Sequence, residues 1–157
     1  MSASRLPVPH HLQSHDGECL AASALMVLDY LGLTVDYEQL LQLLEIQWFG
    51  APSSNITRLQ RLGLEVIYRA GTLQQLADHL EHQQPPIVLV DTGELPYWEQ
   101  STGHAAVVVG LDNDYVYLND PAFRLAPIPV PIGDFELAWL ARNNLYAVLK
   151  RRDLFKA

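Results

Sequence analysis

From Cys19 to Gly32 the chain reads CLAASALMVLDYLG, apolar almost all the way round and closed by a glycine. That is how a buried helix with its C-terminal stop reads, and it sets Cys19 at or near a helix N-terminus. The residues ahead of it carry Pro7, Pro9, three histidines and Gly17 without a sustained period, so an extended lead-in and a loop are expected there. Asp36 can cap a second helix through roughly Leu44, with Leu40, Leu41 and Leu44 at helical spacing. Ser53 or Ser54 can cap a third, ending near Gly63. Leu64 to Arg69 alternates as a strand, and Thr72 with Gln75 forms a capping-box signature for a helix from Leu73 to about His82.

The second half is richer in strands. After Pro85 and Pro86 the run IVLVD suits a buried strand, and a loop from Thr92 to Gly103 follows, carrying Pro96, Tyr97 and Trp98. His104 opens HAAVVVGLD, a strand buried on both faces, and the turn DND joins it to YVYLND as a hairpin. A proline-punctuated stretch from Pro121 to Pro131, a helix around Asp134 to Arg142 and a last strand LYAVLK complete the series, with RRDLFKA as a frayed, solvated end. Helices first and mostly antiparallel strands afterwards is an α+β order, with the helices packed on one face of a sheet. A single domain over residues 1–157 is expected, its core spanning about 7–150.

Composition narrows the functional classes. Of 157 residues, 49% are hydrophobic and 18% charged, which suits one packed core. The formal net charge of −8 disfavours nucleic acid and anionic membrane surfaces as partners, and at long range favours basic or neutral peptides. No apolar run approaches the roughly 18 residues of a membrane span, and the N-terminus lacks the apolar stretch of a secretory signal. Neither membrane insertion nor export by that route is expected. The single cysteine cannot form an internal disulfide or a cysteine-rich zinc site, so a reducing compartment, the cytoplasm, fits best. One cysteine with histidine and Asp or Asn elsewhere is also the arithmetic of a thiol nucleophile, against the alternative of a buried structural thiol.

A catalytic thiol needs stabilisation of its thiolate. A helix N-terminus supplies part of this through free amide N–H groups and the positive end of the helix dipole, and an imidazolium supplies more. Among six histidines, His79 and His82 are expected to face solvent, and His10, His11 and His15 precede the cysteine in a flexible segment. His104 stands at the head of a buried-looking strand, where an apolar residue would be ordinary. Asp120 ends the partner strand of the same hairpin, so its carboxylate is expected beside the imidazole, fixing its tautomer; Asn119 is a fallback. For the oxyanion of a tetrahedral intermediate, the backbone N–H of Cys19 is one donor and Gln13, six residues upstream, offers a side-chain amide.

Taken together, the run Gln13-Ser-His-Asp-Gly-Glu-Cys19 with LAASALMVLDYLG, and Gly103-His-Ala-Ala-Val-Val-Val-Gly-Leu-Asp ending in Leu118-Asn-Asp-Pro-Ala122, resembles the bacteriocin-processing, double-glycine peptidase family and its wider relatives. The resemblance spans roughly Pro7 to Lys150. It implies a papain-like cysteine peptidase fold, a peptide or protein substrate and no cofactor. By position it implies Gln13 in the oxyanion hole, Cys19 as nucleophile, His104 as base and Asp120 as orienting acid. Two features depart from the family pattern: Leu20 and Ala21 follow the cysteine where many papain-like enzymes have Gly-Pro or a similar small pair, and the membrane segments of transporter-fused members are missing.

The leading expectation is amide hydrolysis through an acyl-thioester on Cys19. The alternatives are a catalytically silent papain-like module that binds a peptide or regulates a partner, acyl transfer by the same triad, and a metal site made of His10, His11, His15 and Cys19. Tyr97 and Trp98 read either as one wall of a cleft or as a cap on the core. Trp48-Phe49-Gly50 reads first as core packing and second as a rim.

Overall fold

The computed structural model describes residues 5–152. In chain order these form α1 (Cys19–Tyr30), α2 (Tyr37–Leu43), a 3₁₀ helix (Ser53–Leu62), β1 (Leu64–Ala70), α3 (Leu73–Glu81), β2 (Ile87–Asp91), a short 3₁₀ turn (Thr92–Glu94), β3 (Gly103–Leu111), β4 (Tyr115–Asn119), β5 (Ile128–Pro131), α4 (Ile132–Leu140) and β6 (Leu145–Arg151). The six strands make one sheet in the order β1-β6-β2-β3-β4-β5, every neighbouring pair antiparallel.

The expected local signals operate. Asp36 caps α2 by accepting from the Gln39 N–H, and Thr72 and Gln75 form the reciprocal capping box of α3. On one face, Met26, Val27 and Leu28 of α1 and Leu40 of α2 pack with Ile87, Val107, Val109 and Leu149. The N-terminal helices thus lie on one face of the sheet, as expected. The opposite face is covered as well, by Leu76 of α3 and by Phe135, Ala138 and Trp139 of α4, against Val88, Val108, Val116 and Val148. Two covered faces explain why the central strands read as continuous apolar runs.

Several elements differ from expectation. β5 occupies the proline-punctuated segment. It is an edge strand pairing only with β4; the Ile132 N–H bonds the Asp114 carbonyl, so by alternation the odd positions, Pro129 and Pro131, turn their absent N–H toward the open edge. α4 begins at Ile132, directly after Pro131, rather than at Asp134, which lies in its first turn. Arg151 belongs to β6 and donates to the Leu31 carbonyl, so the expected fraying does not begin there; residues 153–157 of that tail lie outside the described residues. His79 is not solvent-facing. Arg69 Nε donates to Tyr146 Oη, Tyr146 donates to His79 Nε2, and His79 Nδ1–H donates to Gln84 Oε1, which consumes both ring nitrogens. His82 is exposed, as expected.

Candidate active site

Cys19 is the first residue of α1, immediately after the N-cap Glu18, and is partly buried. Glu18 is held by the Tyr37 hydroxyl, which donates to its carboxylate over 2.9 Å. The loop before the cysteine needs Gly17: its φ is +91°, and a Cβ there would stand 2.8 Å from the Trp48 carbonyl oxygen and 2.9 Å from the Gly50 nitrogen. The 48–50 turn therefore lies directly on the lead-in loop and fixes how the chain enters α1.

His104 and Asp120 are brought together by the β3–β4 hairpin and by an irregularity in it. Val107 faces Asn119 and Val108 faces Leu118, but Gly110 faces Tyr117, so β3 carries one extra residue at Val109. This bulge puts Asp120 two positions from the point opposite His104, on the same face. Without it the offset would be three, and the two side chains would point to opposite faces. With it, His104 Nε2–H donates to Asp120 Oδ1 over 2.7 Å, the two side chains being 4% and 0% exposed.

Asp120 accepts from four donors. Oδ1 takes His104 Nε2–H and the Ala122 N–H (2.9 Å); Oδ2 takes the Tyr97 hydroxyl (2.7 Å) and Trp98 Nε1–H (3.0 Å). Every acceptor site of a buried carboxylate is thereby filled, and the charged form is the favoured one. Burial alone would raise the Asp120 carboxyl, but the His104 hydrogen bond and charge, the Ala122 N–H and the Tyr97 hydroxyl hold it below the usual carboxylate value. Trp98 also packs edge-on to the His104 ring, centroids 4.8 Å apart, and Phe123 backs both Tyr97 and Trp98. The loop aromatics, expected as a cleft wall or a core cap, thus donate to Asp120. A count of acceptors could have found them, since one imidazole leaves most of a buried carboxylate's capacity unfilled.

With Nε2 spent on Asp120, the ring nitrogen left to face sulfur is Nδ1. Burial pushes the Cys19 thiol up, but the hydrogen bond and charge of His104, with the backbone N–H groups of Ala105 and Leu20, bring it below its ordinary value. For His104 burial opposes the charge, and Asp120 and Cys19 together push the imidazole up to about 9. Both directions favour a thiolate–imidazolium pair.

Gln13 lies in the same cleft as Cys19 and His104. The lead-in that carries it is pinned: Gln13 N–H donates to the Pro121 carbonyl, Leu6 N–H to that of Val109, and Asn119 Nδ2 to that of Val8. Asn119 is therefore committed to the lead-in and is not the orienter. The Gln13 Oε1 is buried and accepts nothing among the described residues, so no partner in the fold consumes it. His10 Nε2–H donates to the Phe123 carbonyl and His11 pairs with Asp29. Among the described residues no group of three His, Cys, Asp or Glu side chains is placed to hold a metal ion.

The cleft, about 560 Å³, runs between the α1 N-terminus with the 49–53 loop and the ends of β2, β3 and β6. Trp48 and Phe49 are not core: they are 87% and 68% exposed and pack edge-on, with Phe49 on the cleft. Among the described residues no helix is long and apolar enough to cross a membrane.

Comparison with known proteins agrees with this architecture. Among solved structures, the chain is similar to a C39-like peptidase from Bacillus anthracis (19% identity, TM-score 0.78, covering 93% of this chain and 96% of that one). It is similar to a double glycine motif protease from an AMS/PCAT transporter, solved with its leader peptide (24%, 0.71, 97% of each chain). It is also similar to the peptidase domain of Streptococcus ComA, a bi-functional ABC transporter of a quorum-sensing pathway (20%, 0.75, 92% and 99%). No curated protein matches the sequence. The family model described as Peptidase_C39 like family matches residues 5–147, nearly the whole chain. The fold is the papain-like one of the C39 peptidases, and the chain belongs to the Peptidase C39-like family.

Proposed function

We propose that this chain is a cysteine peptidase, hydrolysing a peptide bond through an acyl-thioester on Cys19. The observation that carries the reading is the unbroken line of thiol, imidazole and carboxylate, with a 2.7 Å His104–Asp120 hydrogen bond at one end and a thiol lowered by His104 at the other. A silent binding module would have no use for a depressed thiol or a fully donated carboxylate.

In the proposed reaction the Cys19 thiolate attacks the substrate carbonyl carbon, forming a C–S bond while the carbonyl electron pair moves to oxygen. The backbone N–H of Cys19 and the Gln13 side-chain amide receive that oxyanion. The imidazolium gives its Nδ1 proton to the leaving amine as the C–N bond breaks, leaving the acyl-thioester and a neutral imidazole. The imidazole then takes a proton from water as the water oxygen attacks the thioester carbonyl, and keeps it as the C–S bond breaks, so the electron pair returns to sulfur, the acid product leaves and the thiolate–imidazolium pair is restored. Asp120 stays ionised throughout, holding the ring in register. The substrate is a peptide, by analogy with the double-glycine protease solved with its leader peptide, and the free thiol suits a reducing compartment such as the cytoplasm.

The test is a peptide library incubated with wild type and Cys19→Ala, read by mass spectrometry for cleaved products and for an acyl adduct on Cys19. Cleavage lost in Cys19→Ala, with an adduct trapped on wild type, is the expected result. Cleavage that persists in Cys19→Ala would overturn it.

A further inference from the structure

Beside the imidazolium of His104, Arg142 is the one cation that lines the cleft among the described residues. Arg142 stands just past the end of α4, where Asn143 and Asn144 both adopt left-handed backbone (φ 62° and 56°) and turn the chain into β6. That turn is tied down. The N–H groups of Arg142 and Asn144 both bond the Trp139 carbonyl, Trp139 Nε1–H donates to the Leu145 carbonyl, and the Gly71 N–H bonds the Asn144 carbonyl. The backbone that carries Arg142 is therefore held fixed, which sets where its side chain starts.

The head packs against Gly103, the residue immediately before His104; a Cβ on Gly103 would stand 2.6 Å from Arg142 Nη2 and 2.8 Å from Cζ, so a side chain there would push the guanidinium aside. The nearest carboxylate does not use its donors. Asp91 Oδ2 is 3.9 Å from Nη2, beyond hydrogen-bond distance, while Oδ1 is occupied by the Gly93 N–H and the Ser101 hydroxyl. Among the described residues the guanidinium donates no hydrogen bond, and the side chain remains 44% exposed toward the cleft. Asp91 orients the fork at long range and leaves its N–H groups free.

We propose that Arg142 is the specificity-determining residue of the cleft, binding a carboxylate of the peptide substrate. A planar fork of spare N–H donors is the group that takes a carboxylate bidentately. Because Arg142 lines the same cleft as Cys19 and His104, the bound carboxylate belongs to the part of the substrate that enters that cleft. Two sources share this chemistry, an acidic side chain and a free C-terminus. The chain's net charge of −8 opposes an anionic ligand at a distance, but charges beyond a screening length of about 8 Å count for little against direct contact. This reverses the preference for basic or neutral peptides that net charge alone implies. That the ligand is a peptide rests on the peptidase reading; the carboxylate selectivity does not require turnover.

The experiment is protection of Cys19 from iodoacetamide, followed by intact mass. Short peptides of one sequence are supplied in four forms, with Glu or Gln at one position and a free or amidated C-terminus, against wild type, Arg142→Gln and Arg142→Glu. In wild type a carboxylate form protects at about tenfold lower concentration than its neutral counterpart. The form that does so identifies the source. The advantage disappears in Arg142→Gln and is inverted in Arg142→Glu. Equal protection by all four forms in wild type, or an advantage that Arg142→Gln retains, overturns the assignment. Selective protection without cleavage would refute the hydrolysis and leave the carboxylate site standing.

Discussion

Asp120→Asn removes one charge and changes the shape of nothing. The carboxylate accepts on both oxygens, from His104 and Ala122 on one side and from Tyr97 and Trp98 on the other. An asparagine has one oxygen. If that oxygen faces His104 and Ala122, its NH₂ faces the Tyr97 hydroxyl, which can rotate to accept, and the Trp98 N–H, which cannot. If the oxygen faces Tyr97 and Trp98, the NH₂ donates to a neutral His104 and meets the Ala122 N–H. Either way one N–H is orphaned inside the protein, costing about 1–3 kcal/mol, and the charge-assisted bond to His104 is lost at about 1.5–3 kcal/mol more. A loss of about 2.5–6 kcal/mol is expected in urea unfolding, a large share of the roughly 5–15 kcal/mol of a typical domain.

The chemistry changes in parallel. Without the carboxylate, His104 keeps only Cys19 to set against burial, so its imidazole falls from about 9 and the ion pair is depleted. Iodoacetamide alkylation of Cys19, measured against pH, reads that depletion directly. A variant with wild-type unfolding and a wild-type alkylation profile would refute the reasoning.

Activity against pH should form a bell, rising as the thiol ionises below its ordinary range and falling near pH 9 as His104 loses its proton; a profile centred on an ordinary thiol value would contradict this. Stability carries a related sign: the raised His104 value contributes fully below an unfolded pKa of about 6.5 and is lost as pH rises through about 9, while the lowered Cys19 thiol contributes in the opposite sense over the same window, so the two largely offset and the urea midpoint should stay nearly flat between pH 7 and 9. Gln13→Ala should lower turnover about 10²–10³-fold while leaving the thiolate signal of Cys19 in place, because it removes an oxyanion donor. Gly17→Ala should cost roughly 1–3 kcal/mol in urea unfolding, since it forces φ +91° on an alanine and a Cβ against the Trp48 carbonyl.

How legible each part was follows from the range of the forces involved. α1 and the α3 capping box are written in contiguous residues, and the His104–Asp120 pairing follows from a hairpin with a short turn. The bulge at Val109 that phases this pair has no signal within a run of valines. β5 was hidden because its prolines are compatible with a strand only at an edge, and edge position is a property of the whole sheet. His79 read as solvated because Tyr146, its partner, is 67 residues away in sequence. Trp48 and Phe49 read as core because large apolar residues are usually buried, yet they stand exposed at the cleft rim. Tyr97 and Trp98 were placed near the cleft, but their role as donors to Asp120 depends on which way their polar atoms turn.

The account depends on an ionised sulfur at neutral pH. The chain has one cysteine, so the ultraviolet absorbance of thiolate reports Cys19 alone. Titrated in wild type and His104→Ala, the signal should be present well below the ordinary thiol range in the first and move to or above that range in the second. A wild-type thiol that titrates at its ordinary value, or one that His104→Ala leaves unmoved, would contradict the pairing.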